Sequence, residues 1–221
     1  VPVLEIDGQK QDGTGYKIAT NIDEINPRKI AKMGVDEALS KINSKSIETG
    51  NYKIALYNEA MVSLLSAFCG VFSADATQKG LSLLKDKENT IIASENVTIV
   101  DNPLLENGLS SAPFDDEGVA TFRKEIVSKG KLTTLLHNLK TAHKANTKST
   151  GNGFKSSYAS SVSVSPCNFY IEKGDKSFDE VLNTLGEGLL ITEFAGLHSG
   201  ANAISGDFSL ASKGFYIKDG K

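Results

Sequence analysis

Hydrophobic and polar positions alternate in short runs along much of this chain, and the runs are punctuated by turn dipeptides. VPVLEI, then Asp7-Gly8, then QKQDGTGYKIAT predicts a β-hairpin, because Asp-Gly supplies the two left-handed turn residues that a tight hairpin needs. Asn26 followed by Pro27 supplies a cap and a first-turn proline for a helix running to about Asn43. Tyr52 to Tyr57 predicts a short strand, with Asn58 capping the element after it. That element, AMVSLLSAFCGVF (60–72), has ten apolar residues in thirteen, interrupted only by Ser63, Ser66 and Gly70. Such a run predicts a helix buried on all sides, and it is shorter than the roughly 20 residues that span a bilayer.

Further along, TFRKEIVSKGKLTTLL predicts a hairpin around Lys129-Gly130, followed by a short helix from Asn138. The Ser/Gly-rich run 149–161 reads as a loop, feeding a strand in SVSVSPCNFYIEKG with its alternating Val162, Val164, Phe169 and Ile171. Ser177 and Glu180 have capping-box spacing ahead of SFDEVLNTL. GLLITEFAG and GFYIKDGK read as further strands, the latter reaching a second Asp-Gly turn signal at Asp219-Gly220. The pattern is α+β and strand-rich, a mostly antiparallel sheet curling toward a barrel with three or four helices. Sheet is expected to continue past both ends, so residues 1–221 read as a single domain that is a fragment of a longer protein.

Composition narrows the function classes. Hydrophobic content of 39% and charged content of 23% are those of a globular chain. A net charge of −3 argues against a dedicated nucleic-acid binder. Cys69 and Cys167 form no C-x-x-C pair, which argues against a zinc ribbon or disulfide framework. No targeting segment opens the sequence as written, so a cytoplasmic setting is expected. Charge is unevenly spread. Residues 86–117 carry eight acids against one lysine, a net of −7, and residues 123–155 carry eight Lys/Arg against one acid, a net of +7. These are either two solvated faces or a basis for electrostatic docking.

Candidate chemistry is sparse. His137, His143 and His198 are the histidines, and none is followed by Glu. His137 and His143 are six apart, too far around one helix to share a metal, and read as surface residues. S-x-x-K occurs at Ser82–Lys85 and Ser128–Lys131 without the companion motifs of that serine chemistry. In GLHSGANAISGDFSL (196–210), His198, Ser205 and Asp207 lie close together with Asn202. They suit either a nucleophilic site or a glycine-punctuated turn whose polar side chains hold backbone amides.

Four long stretches carry a resemblance: PFDDEGVAT, LHNLKTAHKANTKSTGNGF, NFYIEKGDKSFDE and GLLITEFAGLHSGANAISGDFSLASKGFYIKDGK. Together they resemble the C-terminal half of the TldD/PmbA family, on its zinc-free TldE side. The resemblance implies a cytoplasmic metalloprotease whose two similar chains pair to cleave extended or unfolded peptides, and an older description as a modulator of DNA gyrase. It implies a strand-rich, barrel-like C-terminal domain. The zinc-bearing chain of the family carries H-E-x-x-x-H on a helix. The best placement of that helix here is the apolar run, with Leu65, Ser66 and Gly70 in the His, Glu and His positions. Leu and Gly offer no ligand atom and Ser no general base. The resemblance therefore implies a non-catalytic chain without catalytic or metal-binding residues. Its expected partners are a homologous zinc-bearing subunit and extended peptides, with no membrane and no direct nucleic acid. His198, Asn202, Ser205 and Asp207 would border the partner-facing surface. A regulatory or adaptor protein acting on gyrase without hydrolysis is the alternative.

Overall fold

A computed structural model describes residues 1–220. The strands are β1 (Val3–Ile6), β2 (Gln9–Asp12), β3 (Ile54–Leu56), β4 (Ile99–Asp101), β5 (Lys124–Ser128), β6 (Lys131–Leu132), β7 (Gly153–Phe154), β8 (Ser163–Val164), β9 (Phe169–Ile171), β10 (Gly188–Ala195) and β11 (Ala211–Ile217). The α-helices are α1 (Pro27–Ser40), α2 (Asn58–Phe68), α3 (Ala74–Gln78), α4 (Leu139–Lys144), α5 (Phe178–Leu185) and α6 (Leu197–Gly200). The chain divides into two compact units, Val1–Asn51 and Tyr52–Lys221.

In the first unit, β1 and β2 pair antiparallel across Asp7 and Gly8, whose φ values of 51° and 76° are those of the expected Asp-Gly turn. The Asn26 side chain accepts the Lys29 amide and Pro27 opens α1, as the sequence predicts. Gly13 lies flat against α1: a Cβ there would sit 2.0 Å from the carbonyl oxygen of Gly34. Only a residue without a side chain allows that approach.

The second unit is built on two sheets. One runs β6-β5-β4-β9, all antiparallel; the other runs β11-β10-β3, with β10–β11 antiparallel and β10–β3 parallel. A two-stranded β7–β8 ladder stands apart. Among the described residues every sheet is open. The class is α+β with antiparallel pairing dominant, as expected, and several of the six helices are single turns too short to register as apolar periodicity. Lys129 and Gly130 form the β5–β6 turn with φ of 46° and 79°. Ser177 and Glu180 form the capping box of α5, and the Ser177 hydroxyl holds the Glu180 carboxyl below its usual range.

The main core joins Phe72, Ile99, Ile126, Val127, Leu132 and Leu136, drawn from β4, β5, β6 and the segments beside them. A smaller core of Leu185, Leu190 and Ile217 seats α5 on the second sheet.

Four expectations fail here. The 60–72 run is not buried on all sides. It divides into α2 and a 3₁₀ turn over Cys69–Phe72; Ala60 and Phe72 are buried, but Val62 is 62% exposed. Asn58 is the first helical residue and Tyr57 the cap position, with no side-chain cap bond. The stretch 162–171 is two strands rather than one. Pro166 brings no amide to a ladder, and β8 pairs with β7 whereas β9 pairs with β4. His137, expected at the surface, is 4% exposed and precedes α4 instead of lying on it with His143.

Candidate functional site

The second unit holds two features that carry polar groups or open space, and α2 borders both. The first is the connection Gly196–Leu210 between β10 and β11. It begins with α6 at a left-handed Gly196 and closes through an isolated bridge between Ala201 and Phe208. Within it the Asn202 carboxamide oxygen accepts the amides of Ile204 and Ser205 at 2.9 and 3.3 Å. The Ser205 hydroxyl oxygen accepts the Asp207 amide at 3.3 Å, and the Asn202 amide donates to the Asp207 carbonyl at 2.8 Å. Gly206 takes φ of 80°, and a Cβ there would lie 2.7 Å from Leu83 Cδ1. His198, Asn202, Ser205 and Asp207 are all exposed. One loop therefore gathers the four residues singled out in the sequence. Among the described residues no hydrogen bond joins His198 to Ser205 or Asp207, and Asn202 and Ser205 are occupied with turn amides. The loop lies against α2, where Phe208 meets Phe68 edge-on at 6.0 Å between ring centres.

The second feature is a groove of about 340 Å³ along α2. Met61, Val62, Leu65, Ser66 and Cys69 line it from the helix, at the i, i+3, i+4 spacing of one helical face. Pro166, Cys167 and β9 form the opposite wall. β9 is an edge strand. Glu172 donates its amide to the Thr98 carbonyl and Asn168 accepts from the Asn102 amide, so by antiparallel alternation the backbone groups of Phe169 and Ile171 point away from β4. An apolar trough thus runs beside an unpaired row of backbone donors and acceptors, the arrangement that takes up an extended chain.

The wall is stiffened from behind by buried polar groups. Asp101, fully buried, accepts from Lys124 Nζ at 3.1 Å and Asn152 Nδ2 at 2.8 Å through one oxygen, and from the Cys167 amide at 2.8 Å through the other. Lys124 Nζ also reaches the Asn152 carboxamide oxygen at 3.2 Å and lies 4.8 Å from the Phe122 ring centre. The adjoining loop is tied down by the His137 carbonyl, which accepts from the amides of Thr150 and Asn152 and from two hydroxyls. Sequence reasoning missed this cluster. Its members are separated by up to 66 residues, and no local spacing marks them.

Neither thiol in the groove is poised for chemistry. Burial raises the Cys69 pKa, and burial together with the Asp101 carboxylate pushes Cys167 up to about 11. Ser82, from one S-x-x-K match, is buried and donates to the Val71 carbonyl at 2.6 Å.

The profile of the PmbA/TldA metallopeptidase C-terminal domain matches residues 49–221. The chain belongs to the PmbA/TldD family. It is 32% identical over 210 residues to the metalloprotease PmbA homolog of Buchnera aphidicola, covering 93% of this chain and 44% of that protein. It is 28% identical over 220 residues to metalloprotease PmbA of Escherichia coli O157:H7, covering 99% and 46%. Among solved structures, a candidate modulator of a DNA gyrase from Thermotoga maritima superposes with a TM-score of 0.91 at 41% identity, over 98% of this chain and 49% of that one. TldE from Thermococcus kodakarensis shares the fold, with a TM-score of 0.81 at 23% identity over 99% and 50%. The chain spans about half the length of the PmbA/TldD relatives it matches.

A metal centre is what the metalloprotease names of these relatives imply, and the residues here do not fit one. Among the described residues no group of three or more His, Cys, Asp or Glu could hold an ion. The positions of α2 that line the groove present Leu65 and Ser66, which have neither an imidazole nor a carboxylate. No helix among the described residues is long and apolar enough to cross a membrane.

Proposed function

We propose that this PmbA/TldD chain is the zinc-free partner in a two-chain cytoplasmic peptidase. In this reading it holds an extended or unfolded peptide while a homologous, zinc-bearing subunit cleaves it. One observation carries the reading: the groove between α2 and the β9 edge is shaped for an extended chain, yet its helix side presents neither an imidazole nor a carboxylate, and among the described residues no group of three or more His, Cys, Asp or Glu could hold an ion. Main-chain bonds to Phe169 and Ile171 would bind peptides with little regard to sequence, and the groove would take one apolar side chain. The loop carrying His198, Asn202, Ser205 and Asp207 then acts as a shaped surface toward the partner rather than as a nucleophilic centre. Neither a membrane nor nucleic acid enters this scheme.

The test is reconstitution with a zinc-bearing family member. The chain alone should retain no stoichiometric zinc after dialysis, and the mixture should cleave an unfolded peptide that neither chain cleaves alone. Ser205→Ala should leave turnover within a few-fold, whereas losing a true nucleophile costs about 10⁶-fold in the best-studied serine hydrolase. One zinc per chain, or abolition of cleavage by Ser205→Ala in an assembled complex, would refute the scheme. The name of the Thermotoga structure favours a second reading, a gyrase modulator without hydrolytic activity. It requires that the chain alter gyrase supercoiling in the absence of any zinc-bearing homologue.

A further inference from the structure

The opposite charges of residues 86–117 and 123–155 are disposed of very differently in the fold. The acids are largely consumed inside the chain. Asp101 holds Lys124, Asn152 and the Cys167 amide. Asp115 is buried and accepts the amides of Glu117, Val119 and Gly153. Asp116 takes the Lys155 amide, Glu117 the Leu139 amide and Glu88 the Leu135 amide. On the basic side, Arg123 is committed to Glu125 and Glu172, and Lys124 to Asp101. Lys140, Lys144 and Lys148 are exposed and make no ion pair or side-chain hydrogen bond among the described residues. Lys124–Asp101 is the one ion pair between the two stretches among the described residues, and a cationic face is left over.

That face is rigid. The Asn138–Thr141 capping box starts α4, Glu117 caps the Leu139 amide, and Gln78 donates to the Thr141 carbonyl at 2.8 Å. Thr141 and Ala142 are buried beneath it. At 100° per residue, Lys140 and Lys144 lie about 40° apart on the helix side opposite those two residues, with His143 beside them. Thr147 bonds back to the Ala142 carbonyl, so Lys148 follows one short turn later. A cation at the C-terminal end of a helix is favourable, which accounts for Lys144. Lys140 is at the opposite end, in the first turn, and is four residues from a like charge. Among the described residues no carboxylate pairs with it.

We infer that the α4 face, Lys140, His143, Lys144 and Lys148, is a docking surface for a carboxylate-rich segment of another protein chain. Carboxylates of that segment would relieve the unpaired Lys140–Lys144 repulsion that the helix otherwise carries. A protein partner fits better than a phosphate polyanion because the face has no arginine, the side chain whose planar fork grips phosphate with two bonds.

The experiment is a titration of the intact chain with a fluorescent Glu-rich peptide and, separately, with a single-stranded oligonucleotide of equal charge. Three proteins are compared: the parent, K140E/K144E, and the control K29E/K45E, which makes the same net charge change on exposed lysines of the first unit. At low salt the parent should bind the peptide, K140E/K144E should weaken it at least about tenfold, and K29E/K45E should change it less than about twofold. Single K140Q removes the like-charge pair without placing a carboxylate beside Glu117, which caps the Leu139 amide, so it should melt no lower than the parent and already lose part of the binding. Absence of peptide binding by the parent, equal losses in both double variants, or tighter binding of the oligonucleotide than of the peptide would each overturn the inference.

Discussion

The Asp101–Lys124–Asn152 cluster offers the sharpest test of how the groove is held. In Asp101→Asn the carboxylate charge is lost while size is kept. One oxygen remains for either the Cys167 amide or the Lys124–Asn152 pair, but not for both. With that oxygen on the Cys167 amide, Lys124, 6% exposed, keeps only the Asn152 oxygen and the Phe122 face as partners for its charge. Breaking a buried pair from one side costs roughly 3–5 kcal/mol, because a desolvated charge is left behind. For a chain of this size that corresponds to a fall in Tm of about 6–20 °C. Urea denaturation followed by tyrosine fluorescence and far-UV circular dichroism gives the loss directly. A double variant, Asp101→Asn with Lys124→Met, removes the stranded charge and should recover a substantial part of it, a non-additivity of at least about 1 kcal/mol. An Asp101→Asn midpoint equal to that of the parent, or strictly additive losses in the double variant, would show that the pair does not support the fold in this way.

Leu65 lines the groove and is only partly buried, so Leu65→Ala should cost about 1–2 kcal/mol, below the roughly 2–5 kcal/mol of a fully buried leucine. A larger loss in urea titration would mean that the groove is closed in solution. Burial lowers the His137 pKa and, among the described residues, its Nδ1 has no partner, so the folded chain favours the neutral ring. Below the ordinary value of about 6.5 the unfolded chain takes up a proton that the folded chain resists, and stability falls as pH drops through this range. His137→Leu should flatten that dependence between pH 7.5 and 5 in urea midpoints; an unchanged slope would place its origin elsewhere. With its pKa at about 11, Cys167 should react with iodoacetamide far more slowly at pH 8 than a free thiol, by mass spectrometry of the labelled peptide, and labelling should accelerate up to that pH.

Much of the local structure was legible in the chain itself, because its causes lie within a few residues. Asp7-Gly8 and Lys129-Gly130 make their turns, Asn26-Pro27 starts α1, and Ser177 with Glu180 starts α5. In each case the decisive conformation or hydrogen bond spans at most three positions. The loop that gathers His198, Asn202, Ser205 and Asp207 was legible for the same reason, as was the absence of imidazole and carboxylate from the 60–72 run. Burial was not legible, since it depends on which other elements arrive to cover a surface. Apolar composition makes α2 a helix, but the sheet edge at β9 stands off from it and leaves Val62 and Leu65 facing a groove. His137 is covered only when α4 and the 149–152 loop fold over it. Asp101 and Lys124 are 23 residues apart and Asp101 and Asn152 are 51 apart, so their pairing exists only once β4, β5 and the loop before β7 are brought together. The sequence determined the turns, the caps and the missing ligands, while the tertiary structure decided which apolar face stays open and which charges are left without a partner.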